Sequence, residues 1–416
     1  MGRKMKDSGI EWIGEIPEGW DIIPVKRLFN IGRGRVIAQT ELIEDGLYPV
    51  YSSQTQSNGC LGFIDTYDFD RKQLTWTTDG ANAGTVFLRE GKHNCTNVCG
   101  TLAPKANDFL IEYTFYALSF IAEYHKRYDT NGFKIMNNEM ATISITLPPQ
   151  KEQQAIADYL DRKCSLIDSI IEKQKVVIEK LKLYKQSIIT EAVTKGLDPS
   201  VKMKPSDIEW IGDIAEGWEV TPLTKQLDSI IDYRGKTPKK VDEGVFLVTA
   251  KNIKDGKINY EASKEFVLLE EYEEIMHRGR PEIGDVLLTT EAPLGEVANV
   301  DRTDIALAQR IIKFRACNGK LDNYYLKYWL MSRGLNSFLL SLSTGSTATG
   351  IKASRLFMLP IVLPSTPEQK AIVEYLDNKC LEIDNVINIK LSLVDKLTNY
   401  KKSLIYECVT GKREVG

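Results

Sequence analysis

One stretch of this 416-residue chain occurs twice, and that repeat limits the possible folds more than any other feature. Residues 147–197 read LPPQKEQQAIADYLDRKCSLIDSIIEKQKVVIEKLKLYKQSIITEAVTKGL, and residues 363–413 read LPSTPEQKAIVEYLDNKCLEIDNVINIKLSLVDKLTNYKKSLIYECVTGKR. They align without a gap, Leu363 standing 216 positions after Leu147. After the opening prolines neither copy contains Pro or Gly for some forty residues, so each predicts one long helix begun after proline. At a rise of ~1.5 Å per residue such a helix spans on the order of 60 Å.

Apolar side chains recur along both copies at heptad spacing. The seam predicted in the first copy is Ile167, Ile170, Gln174, Val177, Leu181, Tyr184, Ile188 and Glu191. Its counterpart in the second is Ile383, Val386, Lys390, Leu393, Leu397, Tyr400, Leu404 and Glu407. A narrow apolar seam on a lone helix stays wet, so each needs a partner with a matching seam, and the nearest one is the other copy. The two helices are therefore expected to pair as an antiparallel coiled coil.

A second repeat precedes each long helix. Ser8–Pro24 reads SGIEWIGEIPEGWDIIP and Ser206–Pro222 reads SDIEWIGDIAEGWEVTP, with Trp12 matching Trp210 and Trp20 matching Trp218. Paired tryptophans in a polar, Gly-bearing segment predict an arm packed against its domain. The order arm, variable region, long helix is thus run through twice, which predicts two half-molecules about a pseudo-twofold axis. The variable regions differ in sequence but share a texture. Short β-type runs (YPVYSS, LGFID, LTWTT and GTVFL; then GVFLVTA, GDVLLTT, GEVANV and IIKFRA) precede an aromatic-rich helical stretch, at Tyr113–Tyr128 and Tyr324–Leu340. Each region then closes with a Gly-bearing loop and a β-type run into Leu-Pro. The expected fold class is α+β: two similar globular domains joined by two long helices. The segments are 1–146, 147–197, 198–362 and 363–416.

Composition fits this plan. Hydrophobic content of 43% and charged content of 27% match a water-soluble chain. No apolar run reaches the ~20 residues a membrane span needs, and residues 1–30 lack a signal-type apolar core, so a cytoplasmic location is expected. Seven scattered cysteines suit a reducing compartment. His93 with Cys95 and Cys99 lacks the second ligand pair of a zinc site, and Cys164 and Cys380 are repeat-matched helix positions, so all four cysteines are expected to be buried thiols. A net charge of −3 means that any nucleic-acid surface must be local.

Catalytic patterns are sparse. Gly345, Gly350 and Lys352 miss a phosphate loop because Ile351 intervenes and no Ser or Thr follows the lysine. GRGR at 32–35 lacks the strand–helix frame of a dinucleotide turn. His93, His125 and His277 have no sequence-near partners for a triad, and carboxylates such as Glu291 stand in loops without a second acid for magnesium. No metal site is expected, and the chain reads as a binder.

The arm SGIEWIGEIPEGW, the helix start LPP…EQ…I…YLD and the ending SLIYECVTGK resemble the specificity subunit of type I restriction–modification systems, along the whole chain. Two departures are mild: AVTKGL at 192–197 exchanges Gly and Lys relative to VTGK, and the second arm has IAEGW for IPEGW. The resemblance implies that 1–146 and 198–362 are target-recognition domains, each reading one half of an asymmetric, split site in double-stranded DNA. It also implies no catalytic residue and no cofactor on this chain. Two modification (methyltransferase) subunits would carry S-adenosylmethionine and methylate adenine, and restriction/motor subunits would bring ATP and Mg.

Base edges are read by Arg, Lys, Asn, Gln, Ser and Thr, and phosphates by Lys, Arg and backbone amides. In the first domain the candidates are Ser53, Gln54, Gln56 and Asn58 in SSQTQSNG, Thr77, Thr78 and Asn82 in TTDGANAG, and Lys126, Arg127 and Lys134. In the second they are Arg234, Lys236, Lys239 and Lys240 in YRGKTPKK, then Lys251, Asn252, Gln309 and Arg310, and Ser343, Thr344, Ser346, Thr347 and Lys352 in STGSTATGIK. The competing readings are a coiled-coil scaffold that binds proteins and a stand-alone nuclease.

Overall fold

The computed structural model describes residues 3–129, 132–233, 238–343, 350–351, 353–356 and 358–415. The chain forms two compact units, Met1–Lys175 with Ser392–Gly416, and Val176–Leu391. The long helices are Gln150–Lys195 and Thr366–Val409, and each gives its first part to one unit and its last part to the other.

In the first unit a four-stranded sheet has the order 29–33, 99–104, 73–77, 86–89, all neighbours antiparallel. Gln73–Thr77 is buried at every position. Leu74 and Trp76 pack with the helix Ile111–His125 on one face, while Gln73, Thr75 and Thr77 turn inward on the other. Across from it, Gly100 leaves room for the Trp76 ring, since a Cβ there would sit 2.2 Å from it. A second sheet sets Tyr48–Tyr51 antiparallel to Cys60–Ile64 and parallel to Lys92–Cys95.

The second unit repeats this plan. Its sheet order is 227–232, 311–316, 286–290, 294–299, and Val245–Val248 again runs parallel to a later strand, Ile305–Leu307. The aromatic helix is broken at Ser332 into Asn323–Met331 and Arg333–Leu342. The arms are strands rather than loose segments. Asp21–Pro24 pairs with Ser144–Leu147, and Glu219–Pro222 with Pro360–Leu363, directly before each long helix.

Repeat-matched polar anchors tie each domain to the helices. Trp20 and Trp218 donate from Nε1 to Glu152 (3.0 Å) and Glu368 (3.1 Å). The hydroxyl of Tyr113 meets Thr146 and the Val409 carbonyl, while that of Tyr325 meets the carbonyls of Val362 and Val193. Tyr116 and Tyr328 donate to Asp161 and Asp377. Buried Gln153 and Gln369 accept from the backbone N–H of Leu110 (2.7 Å) and Asp322 (2.8 Å). Each such group would cost about 1–3 kcal/mol if left orphaned, so the domain–helix junction is geometrically strict.

The helices pair antiparallel inside both units. In the first, Lys401 donates to Asp168 at 2.6 Å; in the second, Lys185 donates to Asp384 at 2.7 Å. Ile178, Ile383 and Ile387 form a small core with Leu181 and Ile188 in the second unit. Ile167 and Leu404 are buried in the first unit's core, with Leu397 packed on it. The predicted seam is therefore right at alternate positions and one residue short at the others. Tyr184, Val386, Leu393 and Tyr400 are exposed, and Ile170 and Val177 lie outside the apolar clusters. From Ile167 the seam steps by four before three, through Ile171, Ile178 and Lys185, and in the second copy through Ile387 and Lys401. Lysines on the seam, neutralised across it, disguised its phase.

In the second unit Lys313 and Asp285, each 1% exposed in its side chain, pair at 3.0 Å, and Arg315 grips the same carboxylate through two nitrogens at 2.8 Å. Burial pushes the Asp285 carboxyl up, but Arg315, the Glu282 N–H and Lys313 together hold it below its ordinary value. A depressed carboxyl stabilises fully above the unfolded value near about pH 4 and loses this contribution as pH falls through the folded one. Asp285→Asn leaves Lys313 buried without its counter-charge and should destabilise the fold by about 3–5 kcal/mol. Thermal unfolding should show this loss at pH 7, and the wild-type advantage should shrink as the pH is taken below about 4.

Candidate nucleic-acid interface

Parallel strands place the loops that follow them at the same sheet edge. In the first domain the loops after Tyr51 and Cys95 meet where the hydroxyls of Thr96 and Ser52 lie 3.0 Å apart. Asn82 then donates from Nδ2 to the Ser53 carbonyl at 3.0 Å, joining TTDGANAG to SSQTQSNG. Gly80 donates its N–H to the Phe133 carbonyl, which brings in the two-stranded hairpin of Arg127–Asp129 and Gly132–Lys134. The three candidate segments of this domain thus share one edge.

That edge is basic and aromatic, and its charges are neutralised locally. Arg127 pairs with Asp129 (3.0 Å) and Glu139 (2.6 Å), Lys134 with Asp129 (3.2 Å) and Asp79 (3.7 Å), and Lys126 with Glu123 (2.5 Å). The hydrogen bonds that Arg127 donates to Glu139 and Asp129 raise its pKa above the ordinary value. Tyr128, 79% exposed, stands edge-on to Phe133, and the Lys126 ammonium lies 4.8 Å from the Phe133 ring. Gln56 and Asn58 are exposed, while Ser53, Gln54 and Asn82 are half-buried.

The second domain builds the corresponding edge. Ala308 donates to the Val248 carbonyl, Thr290 to that of Arg310, and Ile351 to that of Thr290. Arg310 pairs with Glu291 at 2.8 Å, and Glu291 bridges to Gly350, so Gly350 and Ile351 lie beside the end of the strand 286–290. Lys251 is exposed nearby in sequence, and Gln309 is half-buried. Lys239 is exposed, Lys240 pairs with Glu265 at 2.7 Å, and the Ser343 hydroxyl donates to Leu340. Arg234, Lys236, Thr344, Ser346, Thr347 and Lys352 lie outside the described residues.

Three candidates have no side chain to offer a duplex. Thr77 and Thr78 are 0% exposed; Thr78 is tied to Asp79 and the Val98 carbonyl, and Thr77 faces the domain interior. Asn252 is equally buried. Its amide oxygen accepts from Thr249 and its nitrogen donates to the carbonyls of Asn259 and Ser263, so it shapes the loop it was expected to project from. Sequence reasoning alone misses Arg33 and Arg35. Arg33 reaches Asn97, Thr78 and Asp79 at the edge, and Arg35 pairs with Asp68 and Glu41. The signal was available, since Arg33-Gly34-Arg35 ends its strand as Arg234-Gly235-Lys236 follows the strand Leu227–Asp232. Cys95 and Cys99 are interior thiols, and burial pushes Cys99 up to about 11.

The family described as the type I restriction modification DNA specificity domain matches residues 17–180 and 218–393, most of both repeats. The chain belongs to this family. Among its relatives is the type I restriction enzyme MjaVIII specificity subunit of Methanocaldococcus jannaschii, 29% identical over 96% of this chain and 94% of that one. The MpnII specificity subunit of Mycoplasma pneumoniae is 34% identical over 38% of this chain and 48% of its own length. A chain solved in work on the complex assembly and conformational transition of the type I R-M system shares the fold, with a TM-score of 0.66 at 15% identity, covering 96% of this chain and 99% of that one. Among the described residues no helix of this specificity-family chain is long and apolar enough to cross a membrane.

Asn252→Ala should therefore behave as a stability variant. It removes the partner of the Thr249 N–H and of the Ser263 carbonyl, at about 1–3 kcal/mol for each group left unpaired. A lowered unfolding midpoint with unchanged DNA selectivity at the native temperature is the expected result, checked by thermal unfolding beside a binding assay.

Proposed function

We propose that the chain is the DNA-reading subunit of a type I restriction–modification complex, each globular domain reading one half of an asymmetric, two-part site. One observation carries this reading: the two domains share strand order and helix anchors but differ in the polar loops gathered at their edges. Constant roots with unlike edges are what two readers of two different short sequences require. The paired helices would act as the spacer. Two linked weak contacts bind strongly only when both half-sites fall at the separation the spacer sets.

The chain would supply recognition alone and work in the cytoplasm. Two modification subunits would bring S-adenosylmethionine and methylate adenine, and restriction subunits carrying ATP and Mg would join through the same complex. Edges rich in amides, hydroxyls, arginine and an exposed tyrosine favour DNA over a protein partner, because they match base edges and phosphates.

Methylome sequencing of cells with and without this gene tests the reading directly. A two-part adenine-methylation motif should vanish when the gene is deleted, and an unchanged methylome would sink the proposal. A finer test concerns Lys126 and Arg127, which this reading assigns to phosphates. In the assembled complex their joint replacement by Ala should weaken binding to all duplexes alike. It should also flatten the plot of log affinity against log salt by about 0.9 for each phosphate no longer neutralised. An unchanged slope would remove these two residues from the interface.

A further inference from the structure

The first domain buries a cation among aromatic rings. Arg89 is 2% exposed, and among the described residues no carboxylate lies within ion-pair distance of it. Its guanidinium lies 3.5 Å over the Tyr51 ring and 4.3 Å over that of Phe87; Nε donates to Thr75 at 3.1 Å, and Nη2 is buried without a hydrogen-bond partner. Burial drives its pKa down, as expected for a desolvated charge. In the second domain the strands in the same order enclose Leu247, Leu287, Ile305 and Ile311, and the cation buried beside them, Lys313, is paired with Asp285. The second domain thus balances its buried cation with an acid, whereas Arg89 Nη2 has no partner.

Arg89 does reach the loop at the domain edge. Its Nη1 donates to the carbonyl of Asn58 at 2.7 Å, and Gly59 is so close that a Cβ would lie 2.9 Å from Nη2. Around that carbonyl the backbone is left-handed at three successive residues: Ser57 (φ 49), Asn58 (φ 53) and Gly59 (φ 79). Such a run is unfavourable for the two that are not glycine, and it persists only where the surroundings over-determine it. Arg89 supplies one restraint from below, and Ser52 N–H to the Gly59 carbonyl and Asn82 to the Ser53 carbonyl supply others. The run turns Gln56 and Asn58 outward, and an amide must be oriented to make the paired hydrogen bonds that distinguish adenine.

We propose that Arg89 is a positioning residue for sequence choice. Without touching DNA, it fixes from inside the pose in which Gln56 and Asn58 meet the first domain's half-site. This rests on the recognition reading above, and the test separates the two. The intact system, with its partner subunits, is expressed in a host whose genome serves as the probe, and methylation is counted at the full motif and at every single-base variant of it. Arg89→Met should raise methylation on the order of 10-fold at variants of one half-site and leave the other half as selective as before. Arg89→Lys, which keeps the charge but not the planar fork, should relax the same half.

Wild-type selectivity in both variants would overturn the assignment of Arg89, as would equal relaxation of both halves. A wild-type genome without any two-part motif would overturn the recognition reading itself, and the assignment with it. Loss of all methylation in both variants is decided by the unfolding midpoint of the purified chain. A lowered midpoint makes Arg89 a packing residue and ends the proposal, whereas a retained one supports it.

Discussion

A lysine on an otherwise apolar helix seam is tolerable only if something opposite accepts its charge. Here the acceptor of Lys185 is Asp384 and that of Lys401 is Asp168, and these four residues are two repeat-matched pairs. Each is partly solvent-exposed, so neither bridge adds much stability. Their effect lies in specificity. Isoleucine against leucine tolerates a slip of one heptad, but a slipped helix would leave each lysine facing an apolar side chain and each aspartate without its cation. Polar groups on a coiled-coil seam fix register at a cost in stability. The same register is set once in each unit, by the same residue types, and everything attached to the helices inherits it.

What is attached is held through groups that cannot be exchanged cheaply. Trp20 to Glu152 and Trp218 to Glu368, with Tyr113 and Tyr325 bonded to helix-end carbonyls, use directional bonds in buried surroundings. A domain rotated on its helix would break several at once. The interiors further out are under no such constraint. One is filled by Gln73, Thr75, Thr77, His93 and Arg89, the other by a larger aliphatic cluster beside the paired Lys313 and Asp285, on the same strand order. Shared junctions beside divergent interiors and loops mark which parts of the molecule must match the helices and which are free to differ.

The sequence displayed the duplicated parts well. An ungapped repeat, matched tryptophans and Pro-bounded helices are local or periodic signals, and the arms, the long helices and most β-type runs are where those signals placed them. The order of the strands was not legible, because Val- and Ile-rich segments of similar length pair about equally well with one another, and the choice is made by the helix packed across them. The seam was half legible. Counting apolar residues favoured Tyr184 and Tyr400 over Lys185 and Lys401, since a charge satisfied by a residue about two hundred positions away looks like a solvated one. At the loop edges the same blindness cut the other way. Asn252 and Thr78 have the chemistry of base readers, and only burial shows that their hydrogen bonds are spent within the loop.

The edge cations bear on how a mildly acidic chain could still choose among DNA sequences. Arg127, Lys134, Arg33 and Arg310 are each already matched with a carboxylate, with Asp79 and Glu291 at comparable places in the two domains. On the recognition reading, a phosphate must compete with an acid already in position, so the gain from each backbone contact is reduced by the ion pair it replaces. Backbone contacts supply essentially all non-specific affinity. Reducing them costs a random duplex nearly everything it has to offer, while a cognate duplex keeps its base-edge hydrogen bonds, which no carboxylate can imitate. Local self-neutralisation thus lowers overall affinity and leaves base-edge contacts a larger share of what remains, and a net charge of −3 is compatible with that balance.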